Sequence, residues 1–146
     1  MQVWRSLIGM SMKLPAALDS QMNNDAGLTH FEYAVLVALS EAPDRTLRMS
    51  DLAAQTFGSQ SRLSHVARRM QRNGLIARQS CPTDGRSTYA ILTETGMEKL
   101  HTALPGHVEH VRQLVFDLLS DEEAAALGTL TQKILQAVEA DSGTST

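Results

Sequence analysis

The amino-acid sequence predicts a mainly α-helical fold with a small β-hairpin, an α+β arrangement. Apolar residues recur at helical spacing over most of the 146 residues, and residues 75–80 and 87–92 read as two short strands around a turn-rich segment. The predicted order is four helices, the hairpin and two further helices. A composition with 42% hydrophobic and 20% charged residues is ordinary for one soluble globular domain, here taken as 1–146.

The first two predicted helices differ in how clearly their ends are marked. Apolar residues recur from Trp4 to Met22 with Pro15 among them, so this helix is expected either to kink or to restart there. The second helix has a clear beginning, because Thr29 followed three residues later by Glu32 matches a capping box. We expect it to end at the following proline.

Two short helices joined by a tight turn come next. Ser50 is predicted to cap the first of them, over the letters SDLAAQTF. Its predicted inward residues are Leu52, Ala53 and Phe57. A turn at 58–59 leads into a helix over residues 60–73, and Gly74 is a typical residue just beyond a helix end.

The chain after the hairpin is predicted to be helical. Thr93 is expected to cap a long helix, which Pro105 bends or breaks. Ser120 caps a last helix, with Glu123 completing a second capping box. The polar tail 141–146 is predicted to be disordered.

Positive charge is concentrated in the middle of the chain. Residues 45–90 hold eight arginines and two acidic residues, a net charge of +6, whereas the rest carries −9 and the whole chain −3. Arginine forms planar, bidentate contacts with phosphate and guanine. A cationic segment between acidic ends indicates a nucleic-acid-binding module on a separate scaffold.

The helix over residues 60–73 separates this charge from its apolar side chains. At about 100° per residue, one face collects Leu63, Val66, Ala67 and Met70. The opposite face and its flanks hold Ser61, Arg62, Ser64, His65, Arg68, Arg69 and Arg72. An ordinary solvated face is the alternative. It usually mixes both signs, whereas residues 59–73 contain no acid and the hairpin that follows has its own arginine.

Two short helices, a tight turn and a hairpin describe a winged helix-turn-helix. Residues 49–96 resemble the winged-helix core of the MarR family of bacterial transcription regulators. The matching motifs are S-D-L-A, S-x-L-S…R-x-M in the recognition helix, N-G-L-I-x-R at the first strand, D-x-R-S in the wing and L-T-x-x-G at the next helix.

The resemblance implies a homodimeric transcription regulator on a pseudo-palindromic operator in double-stranded DNA. A repressor is the preferred interpretation, but the residues do not decide between a repressor and an activator. Residues 29–92 would form the DNA-binding lobe, and residues 1–25 and 93–140 the helical dimerisation region. Helical stripes at both ends of the chain are compatible with an intersubunit core, but they could equally pack within one chain. A winged-helix module that binds an acidic protein is the alternative function.

The candidate DNA-binding residues lie on the recognition helix, in the loop before it and in the wing. They are Arg48, Ser59, Gln60, Ser61, Arg62, Ser64, His65, Arg68, Arg69, Asp84, Arg86 and Ser87. The recognition-helix residues are expected at the major groove and Arg86 at the adjacent minor groove. Asp84 is expected to orient an arginine rather than to touch DNA.

Family members also bind small aromatic or phenolic effectors between the scaffold and the winged domain. The corresponding residues here would be Trp4, Ile8, Met12, His30, Phe31 and Tyr33. The alternative for each of them is simple packing. No effector can be named from these residues.

Other chemistries find little support in the sequence. No G-x-S-x-G, P-loop or H-E-x-x-H motif is present, so no enzyme, cofactor or catalytic residue is predicted. His107 and His110 have a spacing that could ligate a metal, but solvent-facing histidines are the preferred interpretation. Cys81 does not match the position of redox-sensing cysteines in the family. A single cysteine and no predicted membrane span favour the cytoplasm.

Overall fold

The computed structural model of the chain describes residues 1–80 and 87–143. Over these residues it has six α-helices and a three-stranded antiparallel sheet. The helices are α1 (Gln2–Ala26), α2 (His30–Glu41), α3 (Met49–Gln55), α4 (Gln60–Arg72), α5 (Glu94–Leu114) and α6 (Asp121–Gly143). The strands are β1 (Thr46–Arg48), β2 (Ile76–Ser80) and β3 (Thr88–Leu92). The mainly α fold with a hairpin is therefore confirmed.

The predicted end signals hold for most of the helices. The side-chain oxygen of Thr29 accepts the N–H of Glu32 at 3.1 Å, and the Glu32 carboxylate accepts the N–H of Thr29 at 2.8 Å, which is the expected capping box. Ser120 and Glu123 form the same reciprocal pair before α6. Gly74 ends the turn after α4 with a φ of 73°.

Both internal prolines are accommodated within continuous helices. α1 runs through Pro15 and α5 runs through Pro105, so the predicted restart and the predicted break do not occur. A proline removes only one helical hydrogen bond, and the rest of a long helix carries the backbone past it. Of the tail predicted to be disordered, residues 141–143 continue α6, and residues 144–146 lie outside the described residues.

The start of α3 differs from the prediction. Arg48, rather than Ser50, is the residue before the helix, and it has an extended backbone with φ −64° and ψ 146°. The reason is β1, a strand absent from the prediction: Arg48 pairs with Tyr89 on β3, so the chain leaves a strand and enters the helix directly. Phe57 is not inward either. Its φ of 51° turns the side chain out of the helical stripe, and it is 74% exposed.

The chain divides into two compact units, Met1–Val108 and Glu109–Thr146. The core of the first unit joins helices α1 to α4 and the N-terminal part of α5 with the sheet, in the antiparallel order β1-β3-β2. Its most deeply buried side chains are Met22, Val35, Leu36, Leu39, Leu52, Leu63, Met70 and Ile76. Thr93 ties the start of α5 to this unit, because its hydroxyl donates to the carbonyl of Gly74 at 2.6 Å.

Candidate nucleic-acid interface

The recognition helix α4 presents the two faces that the sequence predicts. All four residues of the predicted inward face are buried. The exposed residues of the opposite face include Ser61, His65, Arg68 and Arg72. Since the buried face fixes the rotation of α4 about its axis, the polar and basic face is held outward.

The N-terminal end of α4 is capped by a residue of the candidate set. The Ser59 hydroxyl accepts the N–H of Arg62 at 3.1 Å. Its side chain thus satisfies one of the free N–H groups in the first turn. Ser59 is therefore a helix cap as well as a candidate contact.

A polar recess of about 250 Å³ lies beside the start of α4. Its lining combines four predicted residues with four that were not predicted. The predicted residues are Arg48, Gln60, Ser64 and Ser87. The others are Met49, Ser50, Arg78 and Thr88. Among residues 1–80 and 87–143, those that line it carry two guanidinium groups and several hydroxyl groups but no acidic side chain. This is the chemistry of an anion site.

Strand alternation explains how Arg78 comes to line this recess. Ile76 on β2 pairs with buried Leu92, and Arg78 pairs with buried Ala90, so both point to the inner face of the sheet. At the position of Arg78, an apolar residue would be the usual choice for the inner face of β2. The two-residue offset between Ile76 and Arg78 was the sequence signal that could have identified Arg78.

Two predicted contact residues have partners within the protein. Nε of Arg69 donates to Glu32 Oε1 at 2.8 Å. Cζ of Arg62 lies 4.2 Å from the centroid of the Phe31 ring. Both arginines flank the outward face of α4 and are placed against α2, unlike Arg68 on the outward face itself. Periodicity could not reveal this, because both partners belong to another helix.

Part of the predicted interface lies outside the described residues. Asp84, Arg86 and Cys81 all belong to the segment 81–86. The predictions for the minor groove, for the orientation of Arg86 and for Cys81 therefore stay predictions.

A second cavity, of about 700 Å³, lies between α1, α2 and the helix-turn-helix. Of the six predicted effector residues, His30 and Phe31 line it. The other lining residues are Pro15, Ala16, Asp19, Ala34, Thr56, Phe57 and Arg62. Trp4, Ile8 and Met12 are exposed on α1, and Tyr33 is buried elsewhere.

Tyr33 packs with two histidines. Its ring centroid lies 4.4 Å from that of His107, and the His30 and His107 centroids are 5.3 Å apart. Burial lowers the pKa of His30, and the Asp19 carboxylate partly opposes this effect. Burial also raises the pKa of Tyr33. The prediction of a solvent-facing histidine is wrong for His107, which is half-buried in this cluster.

No group of three or more histidine, cysteine, aspartate or glutamate side chains within residues 1–80 and 87–143 is arranged to hold a metal ion. Nor does any helix in this part of the chain have the length and apolar character needed to cross a bilayer.

Comparison with known proteins agrees with this geometry. Residues 26–87 match the sequence profile of the MarR family. Sco3205 of Streptomyces coelicolor, a MarR family transcriptional regulator solved in complex with DNA, is 43% identical, with a TM-score of 0.90 over 93% of this chain and 86% of that one. AbsC, a MarR family regulator from the same species, is 36% identical, with a TM-score of 0.87 over 94% and 93%.

A curated relative is more distant. The transcriptional regulator MhqR of Bacillus subtilis is 28% identical over 109 residues, which are 74% of this chain and 72% of that protein. The fold and the outward basic face define a winged helix-turn-helix protein of the DNA-binding type. The chain belongs to the MarR family of transcriptional regulators.

Proposed function

We propose that this regulator binds a pseudo-palindromic DNA operator as a homodimer and represses transcription by occupying it. The observation that carries the proposal is the outward face of α4, which is polar and basic and held in place by four buried residues. A helix of this kind fits the major groove, where its side chains reach base edges.

The residues proposed to read the operator are those on the outward face of α4, away from α2. Arg68 and His65 are exposed at the centre of the outward face, with Ser61 and Ser64 closer to its N-terminal end. Arg68 is the proposed guanine-reading side chain, since bidentate contact to guanine is the commonest specific arginine contact. Arg62 and Arg69 are assigned to holding α4 against α2.

The proposed dimer is supported by exposed apolar side chains. On α6, Leu130 is 59% exposed, Ile134 47% and Val138 56%, all at helical spacing. On α1, Trp4 is 60% exposed and Met12 71%. Monomeric proteins rarely expose so many large apolar residues in stripes. A two-fold dimer that covers them would place two recognition helices about one turn of DNA apart.

The cavity between α1, α2 and the helix-turn-helix is the proposed effector site. Phe31 and Phe57 offer aromatic surfaces, and Arg62 and His30 offer groups that can pair with an anion. A small aromatic or phenolic acid matches this lining. Its binding would compete with Arg62 for the Phe31 ring and thereby disturb α4, which releases DNA.

We further propose that the protein has no catalytic activity and works in the cytoplasm. Both follow from the role of an operator-binding regulator. The lone cysteine suits a reducing compartment.

Selection of bound duplexes from random DNA tests the proposal. We expect a palindromic consensus with half-site centres about 10 base pairs apart. The absence of any enriched sequence would overturn sequence-specific binding. Salt dependence separates the alternative function: a protein-interaction module would not show a steep fall of duplex affinity with salt together with sequence preference.

A further inference from the structure

The recess beside α4 is lined by a guanidinium group of which one N–H lacks an acceptor. Nε of Arg78 is buried and has no acceptor within the described part of the chain. An arginine is always charged, and a buried donor without an acceptor costs free energy. The neighbouring side chains do not offset this cost, because none of the described residues that line the recess is acidic.

The surroundings of Arg78 are suited to an oxyanion. Arg48 provides a second guanidinium group, of which Nε donates to the Tyr89 hydroxyl at 3.3 Å. Ser64 and Thr88 provide hydroxyl groups that can donate to oxygen, whereas the Ser50 hydroxyl donates to Asp51 Oδ1 at 3.4 Å. The volume of about 250 Å³ exceeds what one phosphate group occupies. The recess can therefore take a phosphate group that is linked to a longer molecule. Together, these donors can satisfy several oxygens of one phosphate.

The position of the recess indicates that this phosphate belongs to the DNA backbone. It lies between the first turn of α4, through Gln60 and Ser64, and the inner face of the sheet, through Arg78 and Thr88. A recognition helix that enters the major groove from this end brings the bordering DNA backbone to its first turn. We propose that the recess binds one DNA backbone phosphate in each half-site, with the partly buried Arg78 as its cation.

This inference rests on the proposed function and adds to it. The outward face of α4 reads bases, whereas the recess fixes the register of the protein on the backbone without regard to sequence. Arg78 and Thr88 thereby become phosphate-binding residues. The inference also explains why an arginine stands where β2 would otherwise present an apolar side chain to the inner face.

The test uses the full-length protein and the duplex obtained by selection from random DNA. Arg78→Gln is expected to weaken binding to the operator and to a scrambled duplex by the same factor, roughly tenfold, since a charge-assisted hydrogen bond is lost. The slope of log affinity against log salt should fall by about one. Arg78→Lys keeps the charge and is expected to retain the salt slope with a smaller loss of affinity. Arg5→Gln, at an exposed position of α1, is the matched control and should change neither quantity.

A methylphosphonate scan locates the phosphate. Each backbone position of the operator is neutralised in turn, and affinity is measured for the wild type and for Arg78→Gln. We expect one position per half-site whose neutralisation weakens the wild type but has no further effect on Arg78→Gln. The proposal would be overturned if, at every position, neutralisation weakened the wild type and Arg78→Gln by the same factor. It would also be overturned if Arg78→Gln lost affinity for the operator but not for the scrambled duplex.

Two further measurements keep the outcome unambiguous. Urea unfolding of Arg78→Gln should show a stability equal to or above that of the wild type, because the variant removes a buried Nε–H that has no acceptor. A marked loss would instead indicate a structural role and overturn the proposal. The NMR signal of the Arg78 Nε–H is followed during titration with inorganic phosphate. Saturation by free phosphate at submillimolar concentration, without a coupled position in the scan, would assign the recess to a free anion instead. Should the wild type show no sequence preference, the proposed function fails, and the response of the Nε–H signal to a non-specific duplex still tests the recess.

Discussion

One carboxylate, that of Glu32, joins the start of α2 to the recognition helix. Its Oε1 accepts Nε–H of Arg69 at 2.8 Å, and its Oε2 accepts the N–H of Thr29 at 2.8 Å. The Glu32 side chain is 5% exposed and that of Arg69 is 42% exposed. The same buried group therefore caps one helix and holds the flank of another.

Replacing Arg69 tests the ion pair, because it leaves the buried Glu32 carboxylate without its cation. We expect Arg69→Ala to lower the free energy of unfolding by about 2–3 kcal/mol, somewhat less than for a fully buried pair, since Arg69 is half exposed. Urea unfolding measures the change. The matched control is Arg68→Ala at the neighbouring exposed position, which should stay within about 0.5 kcal/mol of the wild type. Equal effects of the two substitutions would contradict the structural role of Arg69.

In DNA binding, the substitution at Arg68 is expected to have the larger effect on sequence discrimination, whereas in stability the substitution at Arg69 has the larger effect. Arg68→Ala should reduce the discrimination between operator and scrambled duplex by about 1–3 kcal/mol, as expected for a base contact. Fluorescence anisotropy at fixed salt gives both affinities. An equal loss on the two duplexes would make Arg68 a phosphate contact only.

Gly96, in the first turn of α5, is required by close packing. A Cβ at this position would overlap the carbonyl oxygen of Leu75 and approach Cδ1 of Leu92 to 2.7 Å. Gly96→Ala is expected to lower the free energy of unfolding by about 1–3 kcal/mol, since backbone must move to admit the methyl group. Gly128→Ala is the control: no atom lies within 4 Å of its added Cβ, and the better helix propensity of alanine should stabilise α6. Thermal unfolding that ranks the two substitutions in the reverse order would contradict this packing.

The cluster around His30 makes stability depend on pH. Burial places the pKa of folded His30 below its unfolded value of about 6.5, with Asp19, Tyr33 and His107 as the ionisable groups that face or contact it. The unfolded chain therefore binds the proton more readily, and stability falls as the pH drops below about 6.5 through the folded pKa. His30→Gln should reduce this fall, measured by urea unfolding at several pH values. His101→Gln at an exposed position of α5 should leave it unchanged, and an unaltered pH profile of His30→Gln would refute the assignment.

The exposed stripe of α6 is expected to hold the dimer together. Ile134→Glu places a charge in the middle of the stripe and should convert the dimer into a species near the chain mass of 15.9 kDa in sedimentation at micromolar concentration. Gln132→Glu adds the same charge at a nearby polar position and should leave the dimer intact. A wild-type monomer at this concentration would contradict the proposed architecture.

Local signals in the sequence determined most of the secondary structure and one face of the interface. The capping boxes at Thr29 and Ser120 and the apolar period of α4 act between residues three or four apart, so they can be read directly from the chain. The same period predicted that Arg68 is exposed. The resemblance to the MarR family rests on such short motifs, and the comparisons confirm it.

Only the tertiary structure decided which of the basic residues are free to meet DNA. Arg69 is paired with a residue 37 positions away, and Arg62 lies over a ring on the same distant helix. β1 exists because β3, about forty residues later, supplies its backbone partners, and that pairing also sets the start of α3. Arg78 faces inward because of its register with Ala90. Strand alternation from Ile76 also indicates the inward face of Arg78. The other features depend on contacts between residues far apart in the chain, which no local pattern of charge or hydrophobicity encodes.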